Sequence, residues 1–488
     1  MSKNKNENKA ILFGLGWTTI STITTGIVQM LRLSILTRFI SKEAFGIVAI
    51  LMMVLGLTQV FSDLGFSASV MSQKNLDRKS FLSLYWLQFI VFNAIMVVVA
   101  LCSPFIAGHY DEASLEILIP IIMTEMFFLS LGKLYDTVLQ KHMQFRVIAI
   151  RNIVAAFISL IVAVVLAWAG CGVYSLVIST VMQAVIVNLW NLYAGQGQYP
   201  LGLQRIDFKE ARSLMKVGYY QMGTQIVDYM ATKLDVLVIG EFLGTEALGV
   251  YNLAKELVLK FVAVINAIVN KVMLPVLAGK QQNIKELKNT FRLFINKLSV
   301  LNAPILGFII IFSMSIVRIL YGDKYMDASI TVKVMAVWSL FVVLGQPNSL
   351  LAIATKKTDV SFAYTIIRFL IMGTLLFTFA RHTLEGAAIT MLGTYFVMFF
   401  VNWYMLPRKI INMGLNEYLS QFFKSCTGTA VAVLLVIGCR HILPHIIHGI
   451  NAFVVDAICL FVYIPLAAFM LWMLEKKTIK AILKRQFT

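Results

Sequence analysis

The chain has 488 residues, 59% of them apolar and only 14% charged, against roughly 45–50% apolar in soluble domains, which excludes an ordinary soluble enzyme. The net charge of +18 would suggest nucleic acid in a soluble protein, but most bases here fall in short stretches between apolar runs, so no nucleic-acid partner is expected. A hydrocarbon core takes about 20 apolar residues per helix, and fourteen spans at about 35 residues each would use the whole length, leaving no soluble domain.

The start, MSKNKNENK, is polar and basic. The apolar run behind it reaches Leu36, too long for a signal-peptide core and without an A-x-A site, so the first helix is expected to stay. Apolar runs broken by charge, Pro or Gly predict an all-α polytopic protein. Its helices lie near 11–37, 45–71, 81–107, 114–140, 145–169, 172–194, 212–240, 247–277, 292–315, 328–354, 359–380, 385–406, 420–441 and 452–474. With the N-terminus inside, the inward connections hold twenty-five bases, and the outward ones only Arg38, Lys42, Arg318, Lys324, Arg381 and Arg440. The positive-inside rule therefore puts both termini in the cytoplasm.

The five cysteines never form a C-x-x-C pair, and no metal site is expected. His441, His445 and His448 have a ligand-like spacing, but Pro444 interrupts them and no acidic residue is adjacent, which favours an interfacial loop. No G-x-x-x-x-G-K-[ST] motif occurs, so ATP is not the expected energy source and no cofactor is needed. A gradient of H⁺ or Na⁺, or of the substrate itself, must supply the work.

An internal repeat organises the chain. Residues 37–48 lie over residues 240–251 at an offset of 203, with Phe, Glu, Ala and Gly coinciding in the connections after the first and seventh helices. Six helices separate the copies, so the repeat is parallel, a transporter pattern. It divides the chain into an N-terminal lobe of helices 1–6 (1–200), a C-terminal lobe of helices 7–12 (201–411), and helices 13–14 with a basic cytoplasmic tail (412–488).

The offset also relates two polar stripes. Thr18, Thr22, Thr25, Gln29 and Arg32 share one face of the first helix, and adding 203 gives Gln221, Gln225, Asp228, Thr232 and Asp235. Two such stripes predict two walls of a cavity, the alternative being hydrogen bonding that glues helices together. Arg32 and Asp235 are equivalent and opposite in charge, which suggests a gate pair.

Further charges fall within predicted spans, where a central one costs roughly 2.5–3.5 kcal/mol. Lys133 and Asp136 are spaced to pair along one helix. Arg32, Arg151, Lys260 and Arg368 are candidates for holding an anionic headgroup such as phosphate. Asp63, Glu125 and Asp228 are candidates for binding a coupling H⁺ or Na⁺.

Three stretches carry a family resemblance: Leu36–Gly46 (LTRFISKEAFG), Phe61–Lys74 (FSDLGFSASVMSQK), and Leu139–Val147 (LQKHMQFRV) together with Gly170–Val177 (GCGVYSLV). They resemble the polysaccharide-export branch of the multidrug/oligosaccharidyl-lipid/polysaccharide exporter superfamily, whose Wzx-type members include colanic acid and O-antigen flippases. The resemblance implies a non-enzymatic, bacterial inner-membrane flippase that moves undecaprenyl-diphosphate-linked oligosaccharide by alternating access. Membrane lipids, a polysaccharide polymerase and a chain-length regulator would be its partners. A drug or metabolite exporter of the same superfamily would favour an acidic or aromatic cavity, and a glycan polymerase or transferase would need a long outward loop bearing catalytic groups.

Overall fold

The structure is a computed structural model that describes residues 2–73, 76–202, 207–446 and 452–483. Every long element among them is helical. In chain order these are α1 (Ser2–Leu36), α2 (Lys42–Asp63), α3 (Phe66–Ser72), α4 (Arg78–Leu101), α5 (Ser103–His109), α6 (Ser114–Lys141), α7 (Phe145–Trp168) and α8 (Val173–Gly195). Then follow α9 (Phe208–Gly279), α10 (Ile284–Tyr321), α11 (Ala328–Ala354), α12 (Thr358–Phe379), α13 (Leu384–Trp403), α14 (Lys409–Ile411), α15 (Leu415–Ile446) and α16 (Ala452–Leu483).

Among the described residues, twelve helical stretches are long and apolar enough to cross a membrane. The protein is a multi-pass membrane protein. The sequence predicts fourteen spans, and the two not among the twelve fall on α9, whose two halves meet at Gly244 with φ 78° and ψ 176°. Charged residues such as Asp228, Lys233, Asp235, Lys255, Glu256 and Lys260 make both halves more polar than the other spans.

Helix boundaries follow local chemistry. Ser41 caps α2 by accepting from the Ala44 amide, and the helix ends where Leu64 and Gly65 turn left-handed at φ 36° and 79°. This turn cuts the single run predicted over 45–71 into α2 and α3. Asp63 bridges the cut, accepting from the Ser67 amide at 3.3 Å and its hydroxyl at 3.1 Å. Asp77 caps α4 in the same way, and the Ser80 hydroxyl, aided by nearby amides, holds its carboxyl below the usual carboxylate range.

The chain divides into two compact units, Met1–Gly249 and Val250–Thr488. In the first, Phe81, Tyr85 and Tyr135 are buried together, and Tyr199 stacks on Phe81 at 4.4 Å. Their hydroxyls are spent on main-chain carbonyls: Tyr135 on Tyr199 at 3.0 Å and Tyr199 on Leu76 at 2.9 Å. The second unit is centred on Phe291, Phe294, Phe399, Trp403 and Tyr418. A buried polar knot stands beside them, in which Asn348 donates to Asn402 at 2.6 Å and to the Tyr418 hydroxyl at 3.1 Å. Glu417 adds an ionic tie from α15 to α10, 2.6 Å from Lys288 and 3.2 Å from Arg292.

The 203-residue repeat has a geometric counterpart inside the first unit. Gly46 lies so close to α9 that a Cβ there would be 1.8 Å from the Thr245 carbonyl oxygen, and one on Gly249 would be 2.0 Å from the Lys42 carbonyl oxygen. Thr245 and Gly249 are Lys42 and Gly46 shifted by 203, so each glycine admits the carbonyl of the other copy. Only a residue without a side chain permits such an approach. Lys42 also reaches Glu246, the equivalent of Glu43, at 3.9 Å. Gly244 itself is the equivalent of the helix cap Ser41, which explains why α9 breaks there.

Gly46→Ala or Gly249→Ala should each lower stability by about 1–3 kcal/mol, because backbone must move to admit the methyl group. Gly438→Ala, where nothing lies within 4 Å, should leave it unchanged. Thermal unfolding of purified protein in detergent checks this, and equal melting of all three would contradict the crossing.

Candidate functional site

Four bases were singled out by sequence as anion holders, and the structure gives them different partners. Arg32, near the end of α1, donates from Nη1 to Ser159 Oγ at 3.3 Å on α7. Its Nη2 donates to the Leu176 carbonyl and Thr180 Oγ1, each at 3.1 Å, on α8. Both hydroxyls spend their own protons elsewhere, Ser159 on the Ser179 carbonyl at 2.7 Å and Thr180 on the Leu176 carbonyl at 2.8 Å. Their lone pairs are thus turned toward the guanidinium. All three partners of Arg32 are neutral, so they orient the cation without cancelling its charge.

Arg151 is different. Its side chain is 4% exposed and lies 2.8 Å from Asp136 Oδ1, with further bonds to Asn191 and Asn152. Gln140 donates to the second Asp136 oxygen at 2.8 Å. The expected Lys133–Asp136 pair along α6 is therefore replaced by a pair between α6 and α7. Spacing within one helix cannot reveal a partner from the next. Arg151, expected to hold an anion, is instead committed to binding α6, α7 and α8 together.

Lys260 pairs with Glu256 at 3.6 Å, one turn earlier on α9. Arg368 lies 6.0 Å from the centre of the Tyr364 ring on α12. Both belong to the second unit, whereas Arg32 and Arg151 belong to the first.

The predicted polar stripe on α1 exists, but its threonines face inward on the helix itself. Thr18 donates to the Gly14 carbonyl, Thr22 to Thr18 and Thr25 to Ser21, at 2.7–2.8 Å. Such back-bonding satisfies hydroxyls in hydrocarbon and leaves their lone pairs to accept. Gln29 is half-buried. On α9, Gln225, Asp228 and Thr232 are exposed and Thr232 donates to the Asp228 carbonyl at 2.7 Å, while the side chain of Gln221 lies outside the described residues. Asp235 is fully buried and accepts from the Val236 amide at 3.0 Å. Arg32 is held by α7 and α8, so the expected Arg32–Asp235 gate pair is not formed here.

The three candidate carboxylates also separate. Asp63 accepts from the Ser67 amide and hydroxyl in the first turn of α3, Asp228 stands exposed on α9, and Glu125 sits within α6. Gln59 Nε2 on α2 donates to Glu125 Oε1 at 3.2 Å, and Oε2 is buried with no hydrogen-bond partner. Gln59 was missed in the sequence, although a lone Gln in so apolar a helix was the available signal. The Ser159 and Thr180 partners of Arg32 gave none. Near Gly244, His109 meets Glu241 at 2.8 Å, and the neighbouring Tyr110, packed on Gly240, has its phenol pushed up to about 12 by burial and by the Glu241 charge. Among the described residues no cluster of His, Cys, Asp or Glu could hold a metal, and His448 lies outside them.

Many apolar helices, an internal repeat in the sequence and charged side chains buried within helices define a membrane transporter. The chain belongs to the family described as "Polysaccharide biosynthesis protein", which it matches over residues 35–330. It is 25% identical over 435 residues to the teichuronic acid biosynthesis protein TuaB of Bacillus subtilis (strain 168), covering 88% of this chain and 89% of that one. It is 21% identical to the lipopolysaccharide biosynthesis protein WzxC of Escherichia coli (strain K12), covering 83% and 82%. Its fold is like that of the lipid II flippase MurJ in an inward closed conformation, with a TM-score of 0.73, 14% identity, and coverage of 94% of this chain and 99% of that one.

Arg151→Gln should destabilise the protein by about 3 kcal/mol, since it strands Asp136 in a largely buried site, and Asp136→Asn with Arg151→Gln should recover much of the loss. Denaturation of the two variants side by side measures this. No recovery in the double variant would mean that Arg151 acts through something other than Asp136.

Proposed function

We propose that this protein is a flippase that carries undecaprenyl-diphosphate-linked oligosaccharide units from the inner to the outer leaflet of the bacterial cytoplasmic membrane. Both termini would lie in the cytoplasm, as the positive-inside distribution of bases requires. Membership of a polysaccharide biosynthesis family and a fold like that of a flippase support this reading. The observation that carries it furthest is Arg32, a guanidinium fixed in a membrane span by neutral groups alone.

A cation costs several kcal/mol in hydrocarbon unless something compensates it. A diphosphate does so, and the planar guanidinium offers it paired, charge-assisted donors. Ser159 and Thr180 hold Arg32 until the phosphate arrives and exchange with it when it leaves. The sugars would meet the polar residues of α1 and α9, while the polyprenyl tail stays in lipid. A polymerase and a chain-length regulator would then act on the exported unit. The protein itself makes and breaks no bond in this scheme.

An ion gradient would drive the cycle, with Glu125 the best-placed of the three carboxylates. Having no cationic partner among the described residues, it can gain or lose a proton without breaking an ion pair. Asp63 is engaged by the Ser67 amide and hydroxyl.

Deleting the protein should stop surface polymer while lipid-linked units accumulate inside the cell. Arg32→Gln should reproduce this at normal membrane abundance, cutting export at least about tenfold, the equivalent of about 1.4 kcal/mol of lost binding. Normal polymer in the deletion strain, with no second flippase, would overturn the function. Full export by Arg32→Gln would remove Arg32 from it. Glu125→Gln should abolish the dependence of export on the proton gradient, whereas Asp63→Asn should lower stability without altering that dependence. An unchanged gradient dependence in Glu125→Gln would exclude Glu125 as the coupling group.

A further inference from the structure

In the second unit, the helix that begins as α13 does not stay α-helical to its end. Tyr404–Arg408 form one turn of π-helix that includes Pro407, and the chain turns left-handed at Asn412, with φ 50°. Widened turns of this kind are frequent at functional sites. Here two bases gather over one ring: the guanidinium carbon of Arg408 is 5.1 Å from the centre of the Tyr404 ring, and Lys409 Nζ is 5.7 Å from it. Arg408 is also 5.5 Å from the centre of the Trp403 ring, which is itself fixed by donating from Nε1 to the Met413 carbonyl at 3.1 Å. Both bases are exposed. Glu417, the first carboxylate after them in the chain, is taken by Lys288 and Arg292. Aromatic rings attract a cation and orient it, but they leave its charge in place.

A stripe of rings leads along the helix to these bases. Phe396, Phe400 and Tyr404 follow one another at four-residue intervals and are 49%, 36% and 48% exposed, with the two phenylalanine rings edge to face at 5.3 Å. Met398, Phe399 and Asn402 between them are buried, so the stripe is one open face of the helix. At 1.5 Å per residue, Phe396 stands about 12 Å from Tyr404 and about 18 Å from Arg408. One leaflet of hydrocarbon is about 15 Å deep. Rings spanning that depth with cations just beyond it match an acyl chain and its headgroup.

We propose that this stripe binds one anionic phospholipid, with an acyl chain along Phe396 and Phe400 and the phosphodiester between Arg408 and Lys409. The guanidinium and the ammonium supply charge-assisted donors to the phosphate, while the Tyr404 ring holds both cations in place. A zwitterionic lipid brings its own cation, and a free phosphate gains nothing from the rings. The stripe is open along its length, which suits a lipid that exchanges with the bilayer and not a cargo that must be enclosed. A transporter with this surface would hold the lipid whatever its cargo, so the site stands apart from the flippase reading.

The test uses full-length protein in phosphatidylcholine nanodiscs containing a trace of phosphatidylglycerol with a photoreactive group in its acyl chain. Labelling should concentrate on residues 396–404. Arg408→Gln with Lys409→Gln should reduce it about tenfold, whereas photoreactive phosphatidylcholine should label weakly and equally in both proteins. Lys285→Gln with Lys356→Gln removes the same charge from exposed positions of the same unit and should leave labelling unchanged. Tyr404→Leu, which keeps an apolar side chain but removes the ring, should also weaken labelling by phosphatidylglycerol. All of these positions are exposed, so thermal unfolding of each variant should match that of the native protein. Equal losses in the two double variants would reduce the effect to diffuse attraction and overturn the site. So would labelling concentrated elsewhere, displacement by inorganic phosphate, or stronger competition by undecaprenyl monophosphate than by unlabelled phosphatidylglycerol.

Discussion

Hydrocarbon does not solvate charge, and this single constraint decides what each ionised side chain in the protein can be for. Within a span, a charge must find a partner in the protein, in water or in a ligand. Arg151 has found Asp136, and the pair fixes three helices together. Lys260 has Glu256. Arg32 has only hydroxyl and carbonyl oxygens, which steer it without neutralising it. Bases that look alike in the sequence thus separate by the charge of their neighbours into those neutralised by a carboxylate and one held by neutral groups.

The same constraint shapes the backbone. Threonine hydroxyls along α1 turn back to carbonyls of their own helix, and the tyrosines of the first unit spend theirs on main-chain oxygens. Where two helices must approach more closely than side chains allow, Gly46 and Gly249 supply the room. That crossing is reciprocal under the 203-residue offset, each glycine admitting a carbonyl of the other segment. Its residues are those that made the repeat visible in the sequence.

Much of the architecture was legible because membrane helices announce themselves by length and apolarity, and because a repeat survives as matching positions. The 203-residue offset sets Gly46 on Gly249, the two glycines at which α2 and α9 come closest. Less legible was everything that depends on a neighbour distant in sequence. The spacing of Lys133 and Asp136 suggested a pair, but Arg151 reaches Asp136 from the next helix and displaces it. The left-handed turn at Leu64 and Gly65 lay hidden inside an apolar run. Asp63, singled out as an ion ligand, accepts from the Ser67 amide and hydroxyl across this turn. The Ser159 and Thr180 partners of Arg32 carried no distinguishing pattern, and Gln59, the partner of Glu125, stood out only as a lone Gln in an apolar helix.

The central claim is that Arg32 engages the diphosphate of a lipid-linked saccharide during its passage across the bilayer. Its most direct test is transbilayer movement in vesicles containing only the purified protein, lipid and a lipid-linked oligosaccharide. Movement is scored by the fraction of saccharide that becomes accessible to an impermeant glycan-modifying reagent. The account predicts rapid movement with the native protein, partial movement with Arg32→Lys, and near-background movement with Arg32→Gln at equal protein content. Arg32→Gln moving the saccharide as fast as the native protein would contradict it.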